Sequence, residues 1–173
     1  MRIACLLGPE FEDSEFRVPY DRFRDAGHEV TVVGLRAGER LKGHKGREKV
    51  AVDKSLDSVS SDDFDALFIP GGHSPDCLRA DQHAVSFVKG FAHKPIFAIC
   101  HGPQLLLTAD MVRGRTLTAW PTVQVDLRHA GARVVDEQAV VDGNLVTSRS
   151  PKDIDAFVHE SLTLLANGTE AHV

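Results

Sequence analysis

Cysteine is scarce, basic charge is in deficit and no long apolar run occurs, and each shortage excludes a class of protein. The three cysteines, Cys5, Cys77 and Cys100, form no CxxC pair and no zinc-ligand spacing. An odd number leaves at least one thiol free or paired between chains, which argues against a disulfide-stapled secreted miniprotein and for a reduced, reactive thiol. Twenty Lys and Arg stand against 25 Asp and Glu, a net charge of −5. No global positive field therefore gathers nucleic acid or an anionic membrane, so stable nucleic-acid binding is not expected and small or neutral partners are favoured. The opening run from Met1 to Gly8 is too short for a signal-peptide core. No window approaches the ~20 apolar residues of a membrane span, and the chain reads as cytoplasmic. The nine histidines are scattered, so neither a metal site nor a cofactor is expected.

What is present is an ordinary globular composition, 42% hydrophobic and 26% charged over 173 residues. That suits one domain, residues 1–173, without linker or repeat. Short Ile/Val/Leu/Ala runs alternate with helical patterns, the signature of βα units around a buried, mostly parallel sheet. Strands are predicted at Arg2 to Leu7, Glu29 to Val33, Ala66 to Ile69, Pro95 to Ile99 and Thr116 to Ala119. Helices are predicted from Ser14 to Ala26, stopping at Gly27, then from Asp81 to His93, Pro103 to Ala109 and Val123 to Ala130. Gly38 to Asp53 reads as a hairpin, and Asp142-Gly143 as the turn of a second. In the last helix Ser150 is expected to cap, Pro151 fits the first turn, and Ile154, Phe157, Val158, Leu162 and Leu165 form one stripe.

Ala98-Ile99-Cys100-His101-Gly102 follows a strand and opens a helix, the context of a nucleophile elbow with Ala for the first Gly and Cys as nucleophile. Small Ala98 and Gly102 permit a close strand-helix crossing. The helix N-terminus is expected to lower the Cys100 pKa. His101 is placed to relay a proton, and its backbone N–H to stabilise an oxyanion. Pro70-Gly71-Gly72 closes the preceding strand, where two Gly amides permit close approach of a substrate. Glu10, Glu12, Asp13 and Glu15 cluster after the first strand, again at the carboxyl end of the sheet. One of them, buried against Cys100, would keep its proton and donate to a thiolate.

The segments Glu10 to Phe16, Pro70 to Asp76 and Ala98 to Gln104, together with Val141-Asp142-Gly143 and Thr147-Ser148-Arg149, resemble the PfpI family of the DJ-one superfamily, in order along the whole chain. Within it, the sequence is most similar to the YhbO-type bacterial stress proteins. The resemblance implies an α/β fold, a flavodoxin-like three-layer sandwich related to class I glutamine amidotransferases. It assigns Cys100 as nucleophile, His101 as its adjacent histidine, and Glu15, four residues before Pro19, as the acid bonded to the cysteine. Glu12, Gly71, Gly72 and Trp120 would line the substrate pocket, Trp120 standing where some relatives have Tyr. In PfpI-type peptidases the triad acid comes from a neighbouring subunit at the position of Asp76, where the archaeal enzymes carry Glu. Asp76 reaches one methylene less far and has no obvious local partner in the sequence, so a homo-oligomer, dimer or larger, is expected.

Three activities follow from the resemblance. The first is stress-protective, cysteine-dependent chemistry on methylglyoxal, glyoxal or their early glycation adducts, of glyoxalase or deglycase type. The second is intracellular cysteine peptidase activity. The third is a redox sensor or holdase whose thiol oxidises to sulfinic acid without turnover. They rank in that order.

Overall fold

The structure, a computed structural model, describes residues 1–170. Strand β1 (Arg2–Leu6) is buried from Ile3 onward on both faces, which its unbroken apolar run requires. Helix α1 (Asp13–Asp25) turns Phe16, Pro19 and Phe23 inward. It stops where Gly27 takes φ 91°, a conformation that favours glycine. Strand β2 (Glu29–Gly34) follows, and the expected hairpin forms as β3 (Arg40–Lys42) and β4 (Lys49–Ala51), with Leu41 opposite Val50. The short β5 (Lys54–Ser55) ends this half.

The second half begins with β6 (Ala66–Ile69), then α2 (Ser74–Leu78), α3 (Gln82–Lys89), β7 (Ile96–Ile99) and α4 (Pro103–Thr108). After them come β8 (Thr116–Leu117), α5 (Pro121–His129), β9 (Arg133–Val134), the hairpin β10 (Ala139–Asp142) and β11 (Leu145–Ser148), and α6 (Ile154–Glu170). The seven-stranded sheet runs β10-β11-β7-β6-β1-β2-β5. Every pairing is parallel except β10 with β11.

Period-two alternation divides the core between the two faces of this sheet. Ala4, Leu6, Leu67 and Ile69 pack toward α3, α4 and α5 with Val88, Leu105 and Leu127. Ile3, Cys5, Phe68 and Phe97 pack toward α1 and α6 with Phe16, Phe23, Phe157 and Leu165. The result is the expected three-layer α/β sandwich. Its chain leaves β1 for β2 on one side, then crosses back to β6 on the other. A crevice opens at such a reversal beyond the carboxyl ends of the strands. Here that crevice receives the loops after β1, β6 and β7.

Four local expectations need correction. Helix α2 is not announced by the sequence, because five residues are too few to show a periodicity. The predicted strand at Thr116 to Ala119 is shorter and joins β9 in a separate two-stranded sheet instead of the main one. The third helix ends at Lys89 rather than His93, with the Asp81 carboxylate accepting from the Ala84 amide at its start. Ser150 makes no side-chain cap. The Asp153 carboxylate does the local work there, accepting from both the backbone and side chain of Arg149.

Candidate active site

Cys100 sits directly after β7 with φ 63°, one of three non-glycine residues at positive φ among the described residues. For an L-residue that conformation costs about 1–2 kcal/mol, so the surroundings must enforce it. They do so through the backbone: Cys100 N–H donates to the Ser148 carbonyl, and Trp120 N–H donates to the Cys100 carbonyl, both at 2.9 Å. Gly102 N–H closes the turn onto the Ile99 carbonyl at 2.8 Å. A Cβ on Gly102 would lie 2.7 Å from the Ile69 carbonyl oxygen and 2.9 Å from that of Ile99, so the elbow requires glycine there.

The loop after β6 is equally constrained. A Cβ on Gly71 would fall 2.8 Å from Cys100 Cβ and onto Glu15 Oε1, while one on Gly72 would strike the Glu12 backbone. The absence of side chains lets the Gly71 amide donate to Glu15 Oε1 at 3.0 Å and its carbonyl accept from Glu12 N–H at 3.2 Å. Thus the loops after β1 and β6 are fastened together beneath Cys100.

Glu15 is wholly buried, and its Oε2 finds no hydrogen-bond partner among the described residues. Burial, then the neighbouring Glu12 charge, push its pKa up to about 8, so at neutral pH it retains its proton. Cys100 is 6% exposed. Burial and the Glu15 carboxylate push its thiol up, while the backbone amides of His101 and Gly72 pull the other way. This corrects the expectation of a thiol lowered by its helix terminus: α4 has only six residues, and burial of the sulfur, with the acid beside it, outweighs it. Once Glu15 is protonated, the repulsive charge is gone and its hydroxyl becomes a donor to sulfur. The two side chains therefore act as a unit around a shared proton.

His101 Nδ1 lies 3.4 Å from Cys100 Sγ. Its ring stacks on the Trp120 indole with centroids 5.9 Å apart and planes 25° apart. Burial lowers its pKa, Asp76 opposes that, and His73 adds to it. Asp76 Oδ2 lies 4.0 Å from Nε2 of His73, the residue before α2, which is longer than a hydrogen bond. Glu12 Oε1 accepts from Ser14 Oγ at 3.2 Å and pairs with Lys45 Nζ at 3.0 Å.

These residues surround one cavity of about 530 Å³, lined by Glu12, Glu15, Gly72, Asp76, Cys100, His101 and Trp120, all expected there. Gly71, expected in the pocket wall, does not line it; its amide holds Glu15 and its carbonyl accepts from Glu12 N–H. His44, His73, Gln104 and Pro151 also line the cavity. Of these, His44 comes from the β3–β4 hairpin, whose docking no local pattern announces. Asp13, another member of the acidic cluster, faces away from the chemistry. Burial works against its charge, but the backbone amides of Lys45, Glu48 and Arg47 outweigh it and hold the pKa low. Those three bonds, at 2.8 to 2.9 Å, fasten the hairpin tip that carries His44 and Lys45 to the cavity. No group of three or more His, Cys, Asp or Glu among the described residues has a metal-holding arrangement.

Comparison with known proteins agrees with this geometry. The DJ-1/PfpI family pattern matches residues 1–164. Protein/nucleic acid deglycase 2 of Escherichia coli is 53% identical over 167 residues, covering 95% of this chain and 97% of that protein. General stress protein 18 of Bacillus subtilis shows the same identity and coverage. Among solved structures, a two-domain protein from Anabaena variabilis, containing DJ-1/ThiJ/PfpI-like and ferritin-like domains, superimposes with a TM-score of 0.93 at 39% identity. The match covers 95% of this chain and 48% of that one. The chain belongs to the DJ-1/PfpI family.

Proposed function

We propose that this DJ-1/PfpI family member is a stress-protective, cysteine-dependent enzyme that consumes methylglyoxal, glyoxal or the early adducts they form on amines and thiols. The observation that carries this reading is the packing of Cys100 between His101 Nδ1 at 3.4 Å and a wholly buried, proton-retaining Glu15. The 53% identity to a protein named as a deglycase supports it.

In this reading Sγ of Cys100 adds to the aldehyde carbon of methylglyoxal while the thiol proton passes through His101 to the carbonyl oxygen, forming a hemithioacetal. The Glu15 and His101 pair then removes the proton on that carbon and returns one to the neighbouring carbon. The former aldehyde carbon is thereby oxidised to a thioester and the adjacent ketone carbon reduced to an alcohol. Water splits this lactoyl thioester, giving lactate and restoring the thiol. Nothing beyond water is consumed besides the aldehyde, and the acid-base work falls on His101 and on Glu15, whose pKa burial has raised to about 8.

Peptide hydrolysis is the weaker reading. Within one chain no hydrogen bond among the described residues joins Asp76 to His101, the only contact in hydrogen-bonding distance of that ring being Cys100 Sγ, so a carboxylate-imidazole-thiol relay is not assembled. We place the protein in the cytoplasm as a homo-oligomer, with the half-exposed Asp76 at the mouth of the cavity near a second copy. The deciding assay follows methylglyoxal loss and lactate appearance in Tris-free buffer for the wild type and Cys100→Ala. Lactate from the wild type alone is expected. Equal consumption by both proteins, or loss without lactate, would overturn the proposal.

A further inference from the structure

The Trp120 indole does more than line the cavity. It is the one tryptophan of the chain, and 37% of the residue is exposed. One side of its ring lies along the His101 imidazole at the 5.9 Å and 25° stacking geometry. Its backbone is held as well: the N–H donates to the Cys100 carbonyl at 2.9 Å, and the carbonyl accepts from Val123 and Gln124 at 2.9 and 3.0 Å, at the start of α5. Buried Gln124 returns a side-chain hydrogen bond to the Ala119 carbonyl at 2.9 Å, fixing the segment on its other side. The main chain that carries the indole is therefore fastened to the elbow.

An imidazole that relays protons is usually oriented by a carboxylate at its second nitrogen. Here the contact of the His101 ring with Cys100 Sγ is its single side-chain hydrogen bond among the described residues. Asp76, the nearby acid on α2, makes no hydrogen bond to the ring among the described residues and lies 4.0 Å from His73 Nε2. What remains to fix the plane of the ring is the indole face. We propose that Trp120 is a positioning residue for His101, its stacked indole holding the imidazole with Nδ1 toward the Cys100 sulfur. This rests on the reading of Cys100 and His101 as the reacting pair, but it concerns the free protein. The charged and titratable groups that face His101 are the Cys100 thiol on its own turn, His73 just before α2 and Asp76 on it. Glu12 and Glu15 from the α1 end and His44 from the hairpin complete the walls of the cavity.

The sole tryptophan supplies the test, since a protonated imidazole in contact with an indole quenches its emission more strongly than a neutral one. Emission of the wild type should step upward as pH rises through the His101 titration; the step should vanish in His101→Gln and persist in His73→Gln. Trp120→Leu should slow Cys100 alkylation by iodoacetamide roughly two- to tenfold, the worth of one aromatic pair, and shift the His101 ring titration seen by NMR. Trp120→Phe, which keeps a stacking face, should restore most of both. A step that survives in His101→Gln overturns the proposal. So does a Trp120→Leu protein that keeps the wild-type alkylation rate and ring titration while only its KM for methylglyoxal rises. Should Trp120→Leu fail to fold, the emission arm and Trp120→Phe still decide. All but the KM reading are taken without substrate, so a failure here is distinct from a failure of the aldehyde chemistry.

Discussion

Replacing Glu15 with Gln should make the protein more stable, by an amount that grows with pH. In the fold this carboxyl titrates at about 8 against an ordinary value of 4.5. Between those two pH values the folded chain holds a proton that the unfolded chain has released. Stability falls as pH rises wherever the native state binds more protons. At about 1.36 kcal/mol per pH unit, the loss reaches about 3 kcal/mol at pH 7 and levels off near 5 kcal/mol above pH 8. Glutamine carries no such proton. Its Oε1 still accepts from the Gly71 amide, and its nitrogen occupies the place of the unpartnered Oε2 beside Cys100.

Urea denaturation of both proteins at pH 4.5, 7 and 8.5 provides the check. The curves should nearly coincide at pH 4.5, and Glu15→Gln should lead by about 3 kcal/mol at pH 7 and about 5 kcal/mol at pH 8.5. The same variant should lose lactate formation, because an amide cannot hand over the shared proton. A stability difference independent of pH, or a variant less stable than the wild type at pH 8.5, would show that Glu15 is ionised in the fold at neutral pH and that the proton assignment is wrong.

Limited iodoacetamide labelling with peptide mapping should find Cys100 modified first, because the amides of His101 and Gly72 and a protonated Glu15 favour its thiolate and it opens onto the cavity, whereas Cys5 is wholly buried. Cys77 is the competitor; its thiol is pushed up by burial, Asp76 and Glu10, and preferential labelling of it would displace Cys100 from the proposed role. Asp13→Asn should cost about 2–4 kcal/mol by weakening the charge-assisted bonds from Lys45, Arg47 and Glu48, and hydrogen exchange should show those three amides losing protection together; unchanged protection would remove Asp13 as the anchor of the hairpin. Asp76→Asn should abolish any peptide hydrolysis while largely sparing methylglyoxal turnover, with sedimentation reporting the oligomer; equal loss of both activities would assign Asp76 to a common step, and a fully active monomer would sink the arrangement near a second copy.

The parts of this protein legible in its sequence are those whose cause is local. An unbroken apolar run such as Ala66 to Ile69 means a strand buried on two faces, and it is. The stripe Ile154, Phe157, Val158 and Leu165 means one helix face, and it packs beside Phe68 and Phe97 as such. The strand-elbow-helix order around Cys100 likewise specifies a turn with little freedom. Other features depend on contacts distant in sequence. The thiol pKa reverses direction because the fold buries the sulfur and sets Glu15, 85 positions away, beside it. Asp13 and Glu12 look alike in the acidic cluster, yet only the fold of residues 45–48 turns one into an anchor and leaves the other in the cavity. Helix α2 and the pairing of β8 with β9 are too short to announce themselves.

The unfavourable features are concentrated at one place in the fold. Cys100 and Glu10 both take positive φ, and Glu15 is buried with an unmatched oxygen, all within the loops that meet at the carboxyl ends of β1, β6 and β7. Together these amount to several kcal/mol, a large share of the 5–15 kcal/mol typical of a whole domain. They persist because the adjoining strands are packed on both faces: Phe16, Phe23, Phe68 and Phe97 are wholly buried around β1, β6 and β7. A core of that kind tolerates little movement, since each phenylalanine lost costs about 3–5 kcal/mol. Rigid strands hold the elbow strained, and the strain keeps sulfur, imidazole and acid at reacting distance. Relief of any one of these local costs should therefore raise stability and lower activity together, which is the pattern that Glu15→Gln puts to the test.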